Sequence, residues 1–167
     1  MPSPTGPQHK GVSDTYYQQE TDRCENYTFN YRKTGAAWYR QWLELPADVK
    51  GKQLTLPLAV DIEAPEQKPI RDLAPIAKTF CQELERQKYY AVLYSMVSWF
   101  RTKLSSKELN AYDRWIAHVG VSAPKYGMWQ FTWEAKVDGI LGNVDENVCY
   151  KDYPQILKKA GLNHLNG

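Results

Sequence analysis

The chain of 167 residues carries 21 Lys and Arg against 19 Asp and Glu, a formal net charge of +2. So small an excess excludes the basic field expected of a protein whose main partner is nucleic acid. No apolar run approaches the ~20 residues that a spanning helix needs, so no membrane span is expected. The length fits one domain, and a hydrophobic content of 43% is enough for a sizeable core.

Residues 1–13 are Pro- and Ser-rich at their start and are expected to form a disordered tail, with one domain over 14–167. The first ten residues lack the apolar stretch of a signal peptide, and localisation stays unknown. Residues 14–25 are polar and predict a helix capped by Ser13 or Asp14. Alternation over Tyr27–Tyr31 predicts a short strand, and 35–45 a helix with Trp38, Tyr39 and Trp42 on one side. Residues 46–55 form a polar loop. The run from Leu56 to Glu63 is almost wholly apolar until its two acids, as expected of a strand buried on both faces.

The spacing of Ile70, Leu73, Ile76, Ala77, Phe80 and Leu84 predicts a helix over 70–87. A strand follows at 89–94, then short helices at 98–104 and 107–112. Further strands are expected at 114–119 and 128–132, a loop or hairpin at 139–148, and a terminal helix at 154–162 ended by Gly161 and Asn163. Strands alternating with helices predict an α/β architecture with parallel strands.

Three cysteines, Cys24, Cys81 and Cys149, are widely spaced and odd in number, so free buried thiols are expected rather than a zinc site or disulfide scaffold. The Asn26-Tyr27-Thr28 triplet fits a glycosylation acceptor, a pattern common by chance. No G-x-S-x-G elbow and no Gly-rich phosphate loop occurs.

Asp61 and Glu63 lie two apart on a strand, so they share a face with Cα atoms roughly 6–7 Å apart. They sit at the C-terminal end of their strand, where active sites of α/β proteins gather. Two acids so placed repel, which separates their pKa values and supplies the donor and anion that glycosidic cleavage needs. Equally, they suit the start of a loop, a turn cap or an ion pair. Tyr94, Trp115 and Trp129 fall on or beside later strands, where they suit either a sugar-binding groove or packing between layers. Asp145 lies in a polar stretch whose favoured reading is a turn, and His118 is expected to be structural.

The segments Leu56 to Glu63, Tyr89 to Ser95 with Trp99 and Phe100, Trp115 to Ala117, Gly127 to Thr132, and Val137 to Asp145 occur in one order. Together they resemble glycoside hydrolase family 25, the Chalaropsis-type lysozymes, and Asp152 to Leu162 is similar to the end of some members. The resemblance implies a TIM-like β/α barrel and N-acetylmuramidase activity on peptidoglycan, in bacterial cell-wall catabolism or phage lysis. The bond cut would be the β-1,4 bond between N-acetylmuramic acid and N-acetylglucosamine, and the resemblance implies no metal and no cofactor. Glu63 matches the general acid, and Asp61 the neighbouring carboxylate that either positions the substrate N-acetyl group or acts on water. Asp145 matches the acid near the catalytic floor, and Tyr94, Trp115 and Trp129 match substrate-lining or supporting positions.

Family members open with a strand bearing an Asp in a D-x-S setting, and here 60 residues precede Asp61 with no such strand evident. The resemblance therefore implies a barrel lacking roughly its first three β/α units, completed by a second copy or a partner chain. The alternative expectation is a truncated, inactive relative that binds cell-wall glycan.

Overall fold

The computed structural model describes residues 12–19, 22–30, 51–119 and 126–166. They form a mixed α/β structure around a seven-stranded sheet in sequential order. Its strands are β1 (Val12–Gln19), β2 (Asp22–Asn30), β3 (Leu58–Asp61), β4 (Ala91–Met96), β5 (Asp113–Ala117), β6 (Met128–Ala135) and β7 (Val144–Cys149). Strands β2 to β6 run parallel, while β1 and β7 add antiparallel at the two ends. Three helices accompany them: α1 (Ala74–Arg86), α2 (Val97–Arg101) and α3 (Tyr153–Ala160). A 3-10 segment covers Lys107–Ala111.

The helix expected over 14–25 is instead most of a hairpin, β1 paired with β2 from Val12↔Phe29 to Gln19↔Asp22. The segment has the polarity of a surface helix, but its Thr and Tyr residues favour an extended backbone, and pairing satisfies that backbone along its length. The expected strand at 27–31 falls within β2, up to Asn30. Of the tail expected over 1–13, Val12 and Ser13 instead open β1, and residues 1–11 lie outside the described residues, as do the helix expected over 35–45 and the side chains of Cys24 and of the Asn26 triplet.

Alternation along the parallel strands separates two cores. Leu58, Val60 and Ile62 pack with Leu93 and Ile116 beneath α1, whose Ala77, Phe80, Cys81 and Leu84 supply one buried stripe. Ala59 faces the opposite way with Val92, Tyr94, Trp115 and Met128, where Tyr153 and Leu157 of α3 join them. α1 begins where Asp72 accepts a hydrogen bond from the Ala74 amide at 2.9 Å. α3 begins where Asp152 accepts from the Gln155 amide at 3.0 Å, and it ends at Gly161 with φ 67°, the left-handed cap that glycine tolerates. Cys81 is buried in the first core, but Cys149 is exposed on β7, where its Sγ lies 3.1 Å from the Lys151 carbonyl oxygen. Among the described residues no helix is long and apolar enough to cross a membrane.

Asn163 stitches the end of the chain to the sheet. Fully buried, it accepts from the Tyr90 amide at 2.7 Å and donates to the Leu56 carbonyl at 2.7 Å, while its own amide donates to the Lys88 carbonyl. A second anchor sits at the N-terminal end of β5. Asp113 accepts from the hydroxyls of Tyr90 at 2.8 Å and Tyr153 at 3.0 Å, and pairs with Lys151 at 2.6 Å. Gly127 lies against this cluster, so close that an added Cβ would stand 1.9 Å from the Tyr153 hydroxyl oxygen. The phenol is fully buried and held by Asp113, so it has little room to yield. Gly127→Ala should therefore cost about 1–3 kcal/mol in denaturant unfolding. Adding Tyr153→Phe, which removes the clashing oxygen, should return part of the loss.

Candidate functional site

Asp61 closes β3 on the face opposite α1, and Glu63 follows two residues later, just past the strand. The chain stays paired to that point, because the Ile62 amide donates to the Tyr94 carbonyl at 3.0 Å. Asp61 lies in register with Tyr94, and Tyr94 with Trp115. One lateral row at the C-terminal ends of the parallel strands thus runs from acid to phenol to indole. Tyr94 and Trp115 meet edge to face, with ring centroids 4.9 Å apart.

Asp145, expected in a turn, is a residue of β7. Its stretch looks turn-like because Gly142 and Asn143 precede it, but they end the connection and β7 pairs back onto β6. Asn147 lies opposite Gln130, which aligns with Ala117 of the same face, and Asp145 is two residues before Asn147. Period-2 alternation therefore brings Asp145 to the face that carries Asp61.

Two residues of this face escaped the sequence reading. Gln130 accepts a hydrogen bond from the Tyr94 hydroxyl at 2.6 Å, and Asn147 accepts from the Trp115 indole N–H at 2.8 Å. Their signal was spacing: Gln130 is two residues past Met128, and Asn147 two past Asp145.

Trp129 goes elsewhere. It lies in register with Ile116, a residue of the core beneath α1, and its indole N–H donates to the His118 carbonyl at 2.7 Å. The pleat thus sets it on the opposite face from Trp115, away from the carboxylates, and it tilts against Phe131. His118 serves through its backbone, which is a structural role. Trp115 itself is only 2% exposed, so it supports the face more than it offers a surface.

Burial dominates the electrostatics. Asp61 is 5% exposed, and its Oδ1 has no hydrogen-bond partner among the described residues. Desolvation, reinforced by the charge of Glu63, pushes its pKa up to about 8. Glu63 is raised by desolvation and then by Asp145, and Asp145 by desolvation. The Tyr94 phenol is pushed up by burial and then by all three acids, which marks it as their common neighbour. Such a set can hold a proton where an ordinary carboxyl would lose it and can yield it to a bound oxygen. Among the described residues no group of His, Cys, Asp and Glu is arranged to hold a metal ion.

The raised Asp61 pKa sets a sign for stability. The folded state keeps a proton that the unfolded chain releases, so this contribution is full below about pH 4 and is lost as pH rises through about 8. Asp61→Asn, neutral throughout, should remove that slope. Thermal melts should show the variant matching or exceeding the parent by a few °C near pH 8, with the gap closing toward pH 4.

Residues 13–140 match the family model described as Glycosyl hydrolases family 25. The crystal structure of the CTP1L endolysin is similar, with a TM-score of 0.56 and 26% identity over 66% of this chain and 41% of that one. The spore cortex lytic enzyme SleM of Clostridium perfringens shares the fold, with a TM-score of 0.52 and 24% identity over 66% of this chain and 43% of that one. The chain thus spans less than half the length of either solved structure. No curated protein gives a match. With well over half of the sequence inside the family model, this chain belongs to glycosyl hydrolase family 25.

Proposed function

We propose that the chain is a peptidoglycan hydrolase, cutting the β-1,4 bond between N-acetylmuramic acid and N-acetylglucosamine at the open end of a partial TIM-like barrel. The observation that carries this reading is the convergence of Asp61, Glu63 and Asp145 on one face, each with its pKa raised. Family membership supplies the reaction class, and the similarity to two lytic proteins points to cell-wall glycan as substrate.

Glu63 is the general acid. It is less buried than Asp61 and stands past the end of β3, where a glycosidic oxygen can reach it. Its raised pKa keeps the proton to be given to the leaving oxygen. Asp61, holding its own proton up to about pH 8, is a poor base. It instead orients the N-acetyl group of the bound sugar, which would supply the hydrogen bond that its Oδ1 lacks among the described residues. Asp145 is the most exposed of the three, and it provides the anion that faces water or developing positive charge. Tyr94, fixed by Gln130, and Trp115, fixed by Asn147, form the floor.

Purified protein should release reducing ends from peptidoglycan, and activity should fall as pH rises through the raised Glu63 pKa, because the acid form is then lost. Glu63→Gln should lower turnover by at least ~100-fold while the protein stays folded. Absence of any release by the parent between about pH 4 and 8, the span of ordinary and raised carboxyl values here, would sink the proposal.

A further inference from the structure

The aromatic residues near the acids are poorly placed to grip a long substrate, since Tyr94 and Trp115 are buried and Trp129 faces away. One large aromatic side chain is exposed among the described residues: Trp133 of β6, at 54%. Its position follows from two irregularities in the β6–β7 ladder. Gln130 pairs with Asn147, Thr132 with Glu146, and Ala135 with Val144. Trp133 and Glu134 therefore together oppose the single residue Asp145, as at a β-bulge. The bulge is pinned locally, since the Glu134 amide donates to the Thr132 hydroxyl at 3.1 Å. An exposed indole and an exposed carboxylate thus stand beside the outermost acid of the site.

We propose that Trp133, assisted by Glu134, is a binding subsite for a sugar ring of the glycan strand beyond the residues flanking the cut bond. The chemistry fits a pyranose: its C–H face lies on the indole, and its equatorial hydroxyls donate to the carboxylate. Exposure of so large an apolar surface gains nothing in the free protein, whereas covering it with a sugar removes it from water. Continuity with the acid-bearing face makes the extending strand the occupant.

This inference rests on the hydrolase reading, so the test must separate the two. Peptide-free glycan strands of peptidoglycan would be fractionated into a tetrasaccharide and an octasaccharide, and steady-state hydrolysis measured for the parent, Trp133→Ala and Trp133→Phe. The alanine variant should raise KM for the octasaccharide roughly five- to tenfold, with kcat within about twofold and the tetrasaccharide little changed. Trp133→Phe should restore most of the affinity. An unchanged octasaccharide KM, an equal loss at both lengths, or a loss that Phe fails to rescue overturns the subsite while leaving the hydrolase intact. A parent that neither cleaves nor binds either glycan overturns both. Melting curves of the variants should coincide with the parent, because the side chain is exposed.

Discussion

Asp61 carries a carboxyl group into a buried layer where Tyr94 and Trp115, donors beside it among the described residues, are already committed, and the electrostatic character of the acid-bearing face follows from that. Tyr94 is aligned with Asp61 and would be its natural hydrogen-bond donor, but its hydroxyl is given to Gln130. Trp115, next in the row, gives its N–H to Asn147. Both donors are drawn toward β6 and β7, leaving Asp61 desolvated and facing the charge of Glu63. Among the described residues neither a donor nor a cation is bonded to Oδ1 to stabilise a carboxylate there, so the proton stays on. Had the phenol turned to Asp61, its hydrogen bond would have favoured the anion and opposed the effect of burial. Gln130 and Asn147 thus shape the electrostatics of this face through the donors they engage.

The scaffold that makes this possible is a sheet with two apolar faces. The first, covered by α1, is a conventional helix-on-sheet layer and fixes the positions of Leu58, Val60 and Ile62. The second is apolar only at one end, where α3 sets Tyr153 and Leu157 against Ala59 and Val92. At the other end the same face carries Asp61, Tyr94 and Trp115. α3, Asn163 and the Asp113 cluster therefore anchor β3, β4, β5 and β6 at their N-terminal ends, and Asp61 lies at the opposite end of β3. Asp113 shows the contrast between the two ends. Burial alone would raise its pKa, but Lys151 and two tyrosine hydroxyls reverse that and hold it below the ordinary value. Asp113 is thus paired and charged, whereas Asp61 is buried with no hydrogen-bond partner at its Oδ1 among the described residues.

Much of this was legible in the sequence, for reasons that differ by element. β3 to β6, α1 and α3 are long or strongly patterned, and burial of their apolar positions agrees with local propensity. Asp61 could be placed from the apolar run that precedes it, but the strand expected to reach Glu63 ends at Asp61, so alternation alone does not fix the place of Glu63. β1 and the first part of β2 were missed because their polar sequence lacks the alternation that marked the end of β2, and cross-strand pairing is a nonlocal property. Trp129 was misplaced for a different reason. An aromatic residue on a strand says nothing of its face until the register with its neighbour is known, and the alignment with Ile116 decided it. Asp145 looked like part of a turn because Gly142 and Asn143 stand beside it; only the return of β7 onto β6 gave it a face.

That return also shows how a backbone irregularity chooses a side chain. In an unbroken antiparallel ladder, the pairing of Gln130 with Asn147 would set Thr132 opposite Asp145. The extra residue, Phe131, advances β6 by one position, so Thr132 pairs instead with Glu146 and leaves the acid-bearing face. The second irregularity then sets Trp133 and Glu134 both against Asp145. A threonine is thereby exchanged for an indole and a carboxylate without any change in the length of β7. The bulges leave that indole beside an acid, and at 54% it is the one exposed large aromatic side chain among the described residues.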